Sequence, residues 1–294
     1  MDAEHLYKEV CKWYALTPPV ISVVTFFFDA PFGRFALGND SKLQFDGIKS
    51  WIVMELVSPL AFLFGLLRED STLSLSLYDP RTILALLYLT HYTNRALISP
   101  LRSPGRSKAH ISVPLSGILF NIVNGTLIGT YLASPACTAF LSGSSRALGS
   151  TSFLTGLALW VTGFIGNVLH DEVLLDLRRD AQAKAAKESG ARGEKKEAAR
   201  PHYGIPHGYL YRFVSYPNYL CEWVEWTGFA LAAAPFPSLR LGLTGFTSTA
   251  PPWLFLFSEV FLMAPRAYRG HQWYHKKFPD TYPEERRAVI PFIW

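Results

Sequence analysis

The sequence predicts an all-α fold, a polytopic membrane protein built as a seven-transmembrane-helix bundle with cytosolic cofactor-binding loops. Three observations predict it. Hydrophobic residues make up 49% of the 294 positions and charged residues only 17%, an imbalance unusual for a soluble enzyme. The apolar residues cluster into stretches of about 20, the length that crosses a bilayer as a helix. Lysine and arginine collect in alternate links between those stretches, as cytosolic loops do.

Taken in order, the predicted spans are 13–32, 51–68, 81–100, 111–134, 151–170, 218–236 and 250–266. The first has no small-residue cleavage site behind it, which predicts an uncleaved anchor. The second carries a lone Glu55 among apolar neighbours, and the third ends His91-Tyr92-Thr93-Asn94-Arg95. Gly125 and Gly129 give the fourth a small-residue face suited to close helix packing. Residues 136–150 are rich in Ser and Gly and read as an outer loop. The fifth span runs out through Asn167 and Asp171 into 181–200, a mixed-charge, Ala-rich insertion that either extends the helix or stays disordered. Nothing divides the chain, so 1–294 reads as a single transmembrane domain.

Charge orients the bundle. Segment 171–217 holds nine Lys/Arg, the tail after Pro265 six more, and the link 100–110 has Arg102, Arg106 and Lys108. The links 135–150 and 237–249 hold one each. The basic segments are therefore predicted to be cytosolic, with the C-terminus inside and the N-terminus outside. The net charge of +5 comes from these loops, and no nucleic-acid partner is read from it; membrane lipids are the predicted surroundings. Cys11, Cys137 and Cys221 are too few and too scattered for a disulfide framework.

The polar residues inside the spans carry the functional signal, because ionisable groups at membrane depth are costly unless they face a partner or a ligand. Asn218, Glu222 and Glu225 fall at i, i+4 and i+7, one stripe of the sixth span. Asn167, Asp171 and Arg178 share a face of the fifth span as it leaves the membrane. The tail adds Arg266, Arg269, His271 and Tyr274, after a Tyr203-Gly-Ile-Pro turn. Arginines suit phosphates and carboxylates suit ribose hydroxyls, so the set fits a nucleotide. No Gly-x-Gly-x-x-Gly or P-loop sequence occurs, so the nucleotide is held outside those frames. His271 and His275 have no third ligand nearby, and no metal site is predicted. Glu55 is predicted either to hold its proton and donate a hydrogen bond or to sit at the helix end near the cytosol. Tyr92 is a candidate proton donor to a carbonyl oxygen, or an interfacial aromatic.

These residues resemble the steroid 5α-reductase family, NADPH-dependent membrane reductases of the endoplasmic reticulum. The match is strongest in Asn167-x-x-x-Asp171, Tyr203-x-Ile-Pro, Asn218-x-x-x-Glu222-x-x-Glu225-Trp, His271-x-Trp-Tyr274 and the closing Ile290-Pro-Phe. The resemblance implies a catalytic pair Glu55 and Tyr92, which hydrogen-bond the carbonyl of a lipid-like steroid entering from the bilayer. It implies NADPH contacts from Gly33, Arg34, Arg106, Asn167, Asp171, Arg178, Tyr203, Asn218, Glu222 and Tyr274. Trp51 and Asn124 would face the substrate. The chain departs from the animal pattern at Ser103, where relatives place an asparagine, and at Ile128, where they have a polar residue.

Two relatives on the same scaffold stay open, a polyprenol reductase and a trans-2-enoyl-CoA reductase. The second usually has an N-terminal ubiquitin-like extension, against which the roughly 12 residues before the first span argue. A membrane methyltransferase would leave Glu55 and Tyr92 without a role. A seven-span receptor has no reason to gather Asn167, Asp171, Asn218 and Glu222 into a cradle.

Overall fold

The computed structural model describes residues 2–36, 43–69, 76–143, 147–192, 204–238 and 242–294. The helices among them are α1 (Ala3–Phe27), α2 (Gly47–Glu69), α3 (Pro80–Thr93), α4 (Ser99–Arg102), α5 (Ser112–Ala133), α6 (Pro135–Gly143), α7 (Thr151–Arg192), α8 (Pro217–Ala233), α9 (Gly242–Thr247) and α10 (Pro251–Lys277). Two short strands, β1 (Gln44–Phe45) and β2 (Ala109–His110), pair antiparallel and tie the link after α1 to the link before α5.

Local chemistry marks the helix starts. Asp79 caps α3 by accepting from the Arg81 N–H at 2.9 Å, and Pro80 follows at the position where a missing N–H is harmless. Asp46 accepts from the Ile48 and Lys49 N–H groups ahead of α2. Proline also opens α8 and α10. Among the described residues, four helices are long and apolar enough to cross a membrane: Glu4–Phe27, Gly47–Arg68, Ser112–Ala133 and Thr151–Lys187. Of the other three expected spans, α3 and α8 are shorter, at 14 and 17 residues, and α10 carries Glu259, Arg266 and Arg269 along its length.

Two expectations change in detail, and a third is narrowed to one of its alternatives. The third span is not one regular helix; α3 passes through a π turn at Asn94–Ile98 and continues into α4. The expected outer loop 136–150 instead contains α6 and a 3-10 turn at Ala147–Gly149. There, Ser134 Oγ accepts from the Cys137 N–H at 3.3 Å, starting a helix whose buried Cys137 and Leu141 join the core. Of the 181–200 insertion, the part to Arg192 extends α7, and 193–200 lie outside the described residues.

Two glycine seams hold the bundle. On α5, a Cβ at Gly125 would run into the Ser58 carbonyl of α2, and one at Gly129 into the Phe62 carbonyl. Between α7 and α8, Gly156 lies against Gly228, whose carbonyl a Cβ at Gly156 would meet at 2.6 Å. Such contact lets backbones approach to van der Waals distance. The core between the seams is aromatic: Phe62 stacks on Tyr88 at 4.2 Å, and Trp226 meets Phe255 edge-on at 4.5 Å. Outward faces are apolar instead, with Val20, Phe27, Leu60, Phe64, Leu119 and Ile165 exposed, as suits a lipid-facing surface.

Replacing Gly129 with Val is expected to lower thermal stability in detergent by about 1–3 kcal/mol, the usual range for overpacking. Gly105→Ala, whose methyl meets only the Gln182 side chain at 3.4 Å, should leave the melting temperature unchanged. Paired thermal melts of the two variants check the difference.

Candidate active site

The helix ends that carry the expected site residues lie at one end of the bundle, where α1 and α4 finish and α2, α5 and α8 begin. The α7–α8 seam fixes the first group. Asn167 Nδ2 donates to the Asn218 carbonyl at 3.1 Å and to Glu222 Oε2 at 3.3 Å. Asn218 Nδ2 donates to Asp171 Oδ1 at 3.0 Å, while its own Oδ1 is buried with no hydrogen-bond partner. Four of the expected cofactor residues thus form one connected set.

Arg95 is the hub that sequence reasoning passed over. Its Nε lies 3.4 Å from Glu55 Oε1 and its Nη1 lies 3.3 Å from Glu222. Trp51 Nε1 donates to the Arg95 carbonyl at 3.2 Å, and the guanidinium sits 5.1 Å from the Trp51 ring. One turn earlier, His91 Nδ1 meets Glu225 Oε1 at 2.7 Å, with Nε2 3.9 Å from Glu222. The stripe read from the sixth span therefore divides: Asn218 and Glu222 face α7 and Arg95, whereas Glu225 braces His91. The ion-pair partner of Glu55 is Arg95, which differs from the isolated protonated acid expected beside Tyr92. Arg95 stood in the sequence as a charge inside a span, and that was the signal to use.

Tyr92 belongs to a separate, uncharged knot. Asn124 Nδ2 donates to Tyr92 Oη and to Tyr88 Oη, both at 3.3 Å. Tyr14 Oη donates to Asn124 Oδ1 at 3.2 Å, which fixes the orientation of the amide. Ser58 and Tyr88 complete the knot at 2.7 Å. Ile128, one turn along α5 from Asn124, is fully buried in the apolar core.

Cations rim the mouth. Arg106 lies over Trp51 at 4.0 Å and lines the same cleft as Arg95, Asn167 and Asp171. Burial, then the neighbouring Arg178 and Arg95, pushes Arg106 down to about 10, so it remains a cation at neutral pH. Neither Arg106 nor Arg178 has an ion pair among the described residues. Two uncompensated guanidiniums beside a buried, unpaired amide oxygen fit an anionic ligand that also offers donors, as a nucleotide does. Gly33 has φ +63°, a conformation that favours glycine, and its carbonyl accepts from Ser107 Oγ at 3.0 Å. That turn presents Arg34 to the rings of Tyr274 at 4.5 Å and Trp273 at 4.7 Å. Ser103 turns inward instead, donating to the Gly105 carbonyl at 3.2 Å. Tyr203 lies outside the described residues.

The C-terminal tail clasps this end. Ser215 and Tyr216 donate their N–H groups to the Arg287 and Ala288 carbonyls at 2.8 and 3.0 Å. Ser215 Oγ meets His271 Nδ1 and Tyr282 Oη, each at 2.6 Å. Tyr282 in turn stacks on Tyr274 at 5.1 Å, so the clasp supports a ring of the arginine site. His271 therefore serves a hydrogen-bonded tail contact, a role that the sequence pattern did not reveal.

Buried acid, imidazole, guanidinium and phenol inside a helical bundle, with arginines gathered at one mouth, define a membrane-embedded enzyme. The profile of the 3-oxo-5-alpha-steroid 4-dehydrogenase family matches residues 106–294. The chain is 30% identical over 264 residues to 3-oxo-5-alpha-steroid 4-dehydrogenase 1 of Bos taurus, covering 90% of this chain and 88% of that one. It is 29% identical to a steroid 5-alpha-reductase of Solanum lycopersicum, covering 91% and 89%. An uncharacterized protein of Schizosaccharomyces pombe is 40% identical over 302 residues, covering 98% and 99%. The chain belongs to the 3-oxo-5-alpha-steroid 4-dehydrogenase family. It is an oxidoreductase acting on CH–CH bonds, in a family that uses a nicotinamide cofactor.

The clasp carries a pH signature. Burial, then His275 and Arg287, pushes His271 down to about 4 from its ordinary 6.5. The unfolded chain then binds the extra proton first, so this contribution to stability is complete above pH 6.5 and is lost as pH falls toward 4. The wild-type melting temperature should drop more steeply across that window than that of His271→Gln. Parallel melting curves in the two proteins would refute the assignment.

Proposed function

We propose that the protein reduces the C4–C5 double bond of 3-oxo-Δ4-steroids with NADPH, within a seven-span bundle of the endoplasmic reticulum membrane whose C-terminus is cytosolic. The reading is supported above all by one bridge: Arg95 joins Glu55 to Glu222. Through it the expected acid and the expected cofactor carboxylate share a single guanidinium, at the end of the bundle that carries Arg106 and Arg178. Names and coverage of the animal and plant relatives point to the same substrate class.

When bound, NADPH supplies the hydride. Arg106, Arg178 and the Gly33-Arg34 turn would hold its phosphates, and Asp171, Asn167, Asn218 and Glu222 its hydroxyl and amide groups, beside Tyr274. A conjugated double bond accepts hydride at its β-carbon only where the carbonyl oxygen can take negative charge. Tyr92 answers that need. Because Asn124 donates to Tyr92 Oη, the phenol keeps its own proton for another acceptor, here the steroid oxygen. One such preorganised donor is worth roughly 3–4 kcal/mol. Glu55, the other member of the expected catalytic pair, is held in place by Arg95, the guanidinium that it shares with Glu222. A proton from solvent reaches the α-carbon and completes the reduction. The apolar bundle keeps bulk water away and admits a lipid-like substrate from the bilayer, with Trp51 as one wall.

Turnover of purified protein with NADPH and a 3-oxo-Δ4-steroid tests the proposal, with a polyprenol and an enoyl-CoA as alternatives. Tyr92→Phe should lower kcat on the order of 10²–10³-fold while leaving NADPH binding intact. Full activity in that variant would remove Tyr92 from the chemistry. Arg106→Ala is expected instead to weaken NADPH binding roughly 10-fold or more with kcat little changed, the split that a phosphate contact produces.

A further inference from the structure

Glu259 is a carboxylate that the proposed reaction does not use. It sits in the middle of the apolar run of α10, Trp253-Leu-Phe-Leu-Phe-Ser-Glu259-Val-Phe-Leu-Met263. Phe255, Leu256 and Met263, at i−4, i−3 and i+4, are all buried, so Glu259 belongs to the core face of the helix. The Glu259 charge acts on Tyr14, whose hydroxyl holds Asn124 of the Tyr92 knot. Phe255, one turn back, packs on Trp226, and the Trp226 ring lies 4.7 Å from that of His91. Glu259 therefore borders both the charged hub and the neutral knot, and its charge acts on Glu222, Arg95 and Glu55.

Its carboxylate has no hydrogen bond or ion pair among the described residues, and it is only partly covered. Arg95 is already paired with Glu55 and Glu222, and His91 with Glu225, and among the described residues no cation pairs with Glu259. An uncompensated carboxyl at membrane depth is costly, and a donor brought by a ligand removes the cost. A basic amine would meet the demand too, yet a lipid-like substrate crossing hydrocarbon carries a neutral hydroxyl far more readily.

We infer that Glu259 is a specificity-determining residue that accepts a hydrogen bond from a hydroxyl of the substrate, so that hydroxylated enones are preferred. The inference rests on the proposed enone reduction. It concerns recognition and leaves the reacting groups unchanged.

The test uses the full-length enzyme in detergent with NADPH and pairs of 3-oxo-Δ4-steroids, each hydroxylated compound matched by an analogue with hydrogen in place of one hydroxyl. For at least one pair, wild type should favour the hydroxylated member in kcat/KM by roughly tenfold or more, as a hydrogen bond to a charged group predicts. Glu259→Leu should bring that ratio near one without changing NADPH affinity, and Glu259→Gln, which keeps an acceptor, should retain part of it. Ratios that stay the same in all three proteins, or a wild-type ratio near one for every pair, would overturn the inference and leave the proposed function standing. Failure of the wild type to reduce any enone would overturn that function, and this inference with it.

Discussion

The site hangs on one cation. Arg95 stands among Glu55, Glu222 and, through His91, Glu225, in the interior of a bundle whose outer surface is hydrocarbon-like. Moving a carboxylate from water to such an interior costs several kcal/mol even after relaxation, and only close, well-directed partners repay it. Arg95 meets two acids from two different helices, so α2, α3 and α8 cannot shift independently without leaving a buried charge uncompensated. Its place in the chain matters as well. The π turn at Asn94–Ile98 widens the helix just where Arg95 emerges, and such insertions recur at functional sites because they redirect side chains within an otherwise regular helix. His91 and Arg95, four residues apart, then share the face turned toward α8.

Glycine seams make that arrangement reachable. A Cβ at Gly163 would run into the backbone of α8 at Cys221 and Glu225, and one at Gly228 into the backbone of α7 at Trp160. With both helices pressed together, Asn167 reaches the first turn of α8 and Glu222 in the same motion. A bulkier seam would push the amide away from the carboxylate and open the set that also contains Asp171 and Asn218. Packing far from the mouth thus sets hydrogen-bond distances within it, a coupling that close-packed interiors transmit readily.

Sequence patterns carried much of this because polar residues inside apolar stretches are so conspicuous. The stripe Asn218, Glu222 and Glu225, the face Asn167 and Asp171, and the helical character of the chain were all legible from spacing alone. What spacing could not supply was partnership. Glu222 lies 127 residues from Arg95, and no periodicity links them; the same holds for Ser215 and His271, which meet across 56 residues. Hence Glu225 looked equivalent to Glu222 on the stripe, although one braces an imidazole and the other a guanidinium. Residues 136–150 misled for a different reason. Their Ser and Gly residues have weak intrinsic helix preference, and α6 forms because a serine cap and the burial of Cys137 and Leu141 outweigh it.

The interior holds its phenol and its acid by opposite means, and the contrast has a chemical consequence. Tyr92 is fixed by a neutral partner, Asn124, whose amide also binds the hydroxyls of Tyr88 and Tyr14. Glu55 is fixed by a charge that it shares with Glu222. A donor anchored by neutral groups keeps its position whatever the charge on the site, whereas an acid tied to a guanidinium is held by a partner that a second acid also holds. The proposed reduction of an enone would draw on both properties. The oxygen must be held throughout the reaction, and the charge that develops on it must be absorbed within a low-dielectric interior where any net imbalance is severe. Two independent anchorages, one neutral and one charged, would serve the proposed reaction together.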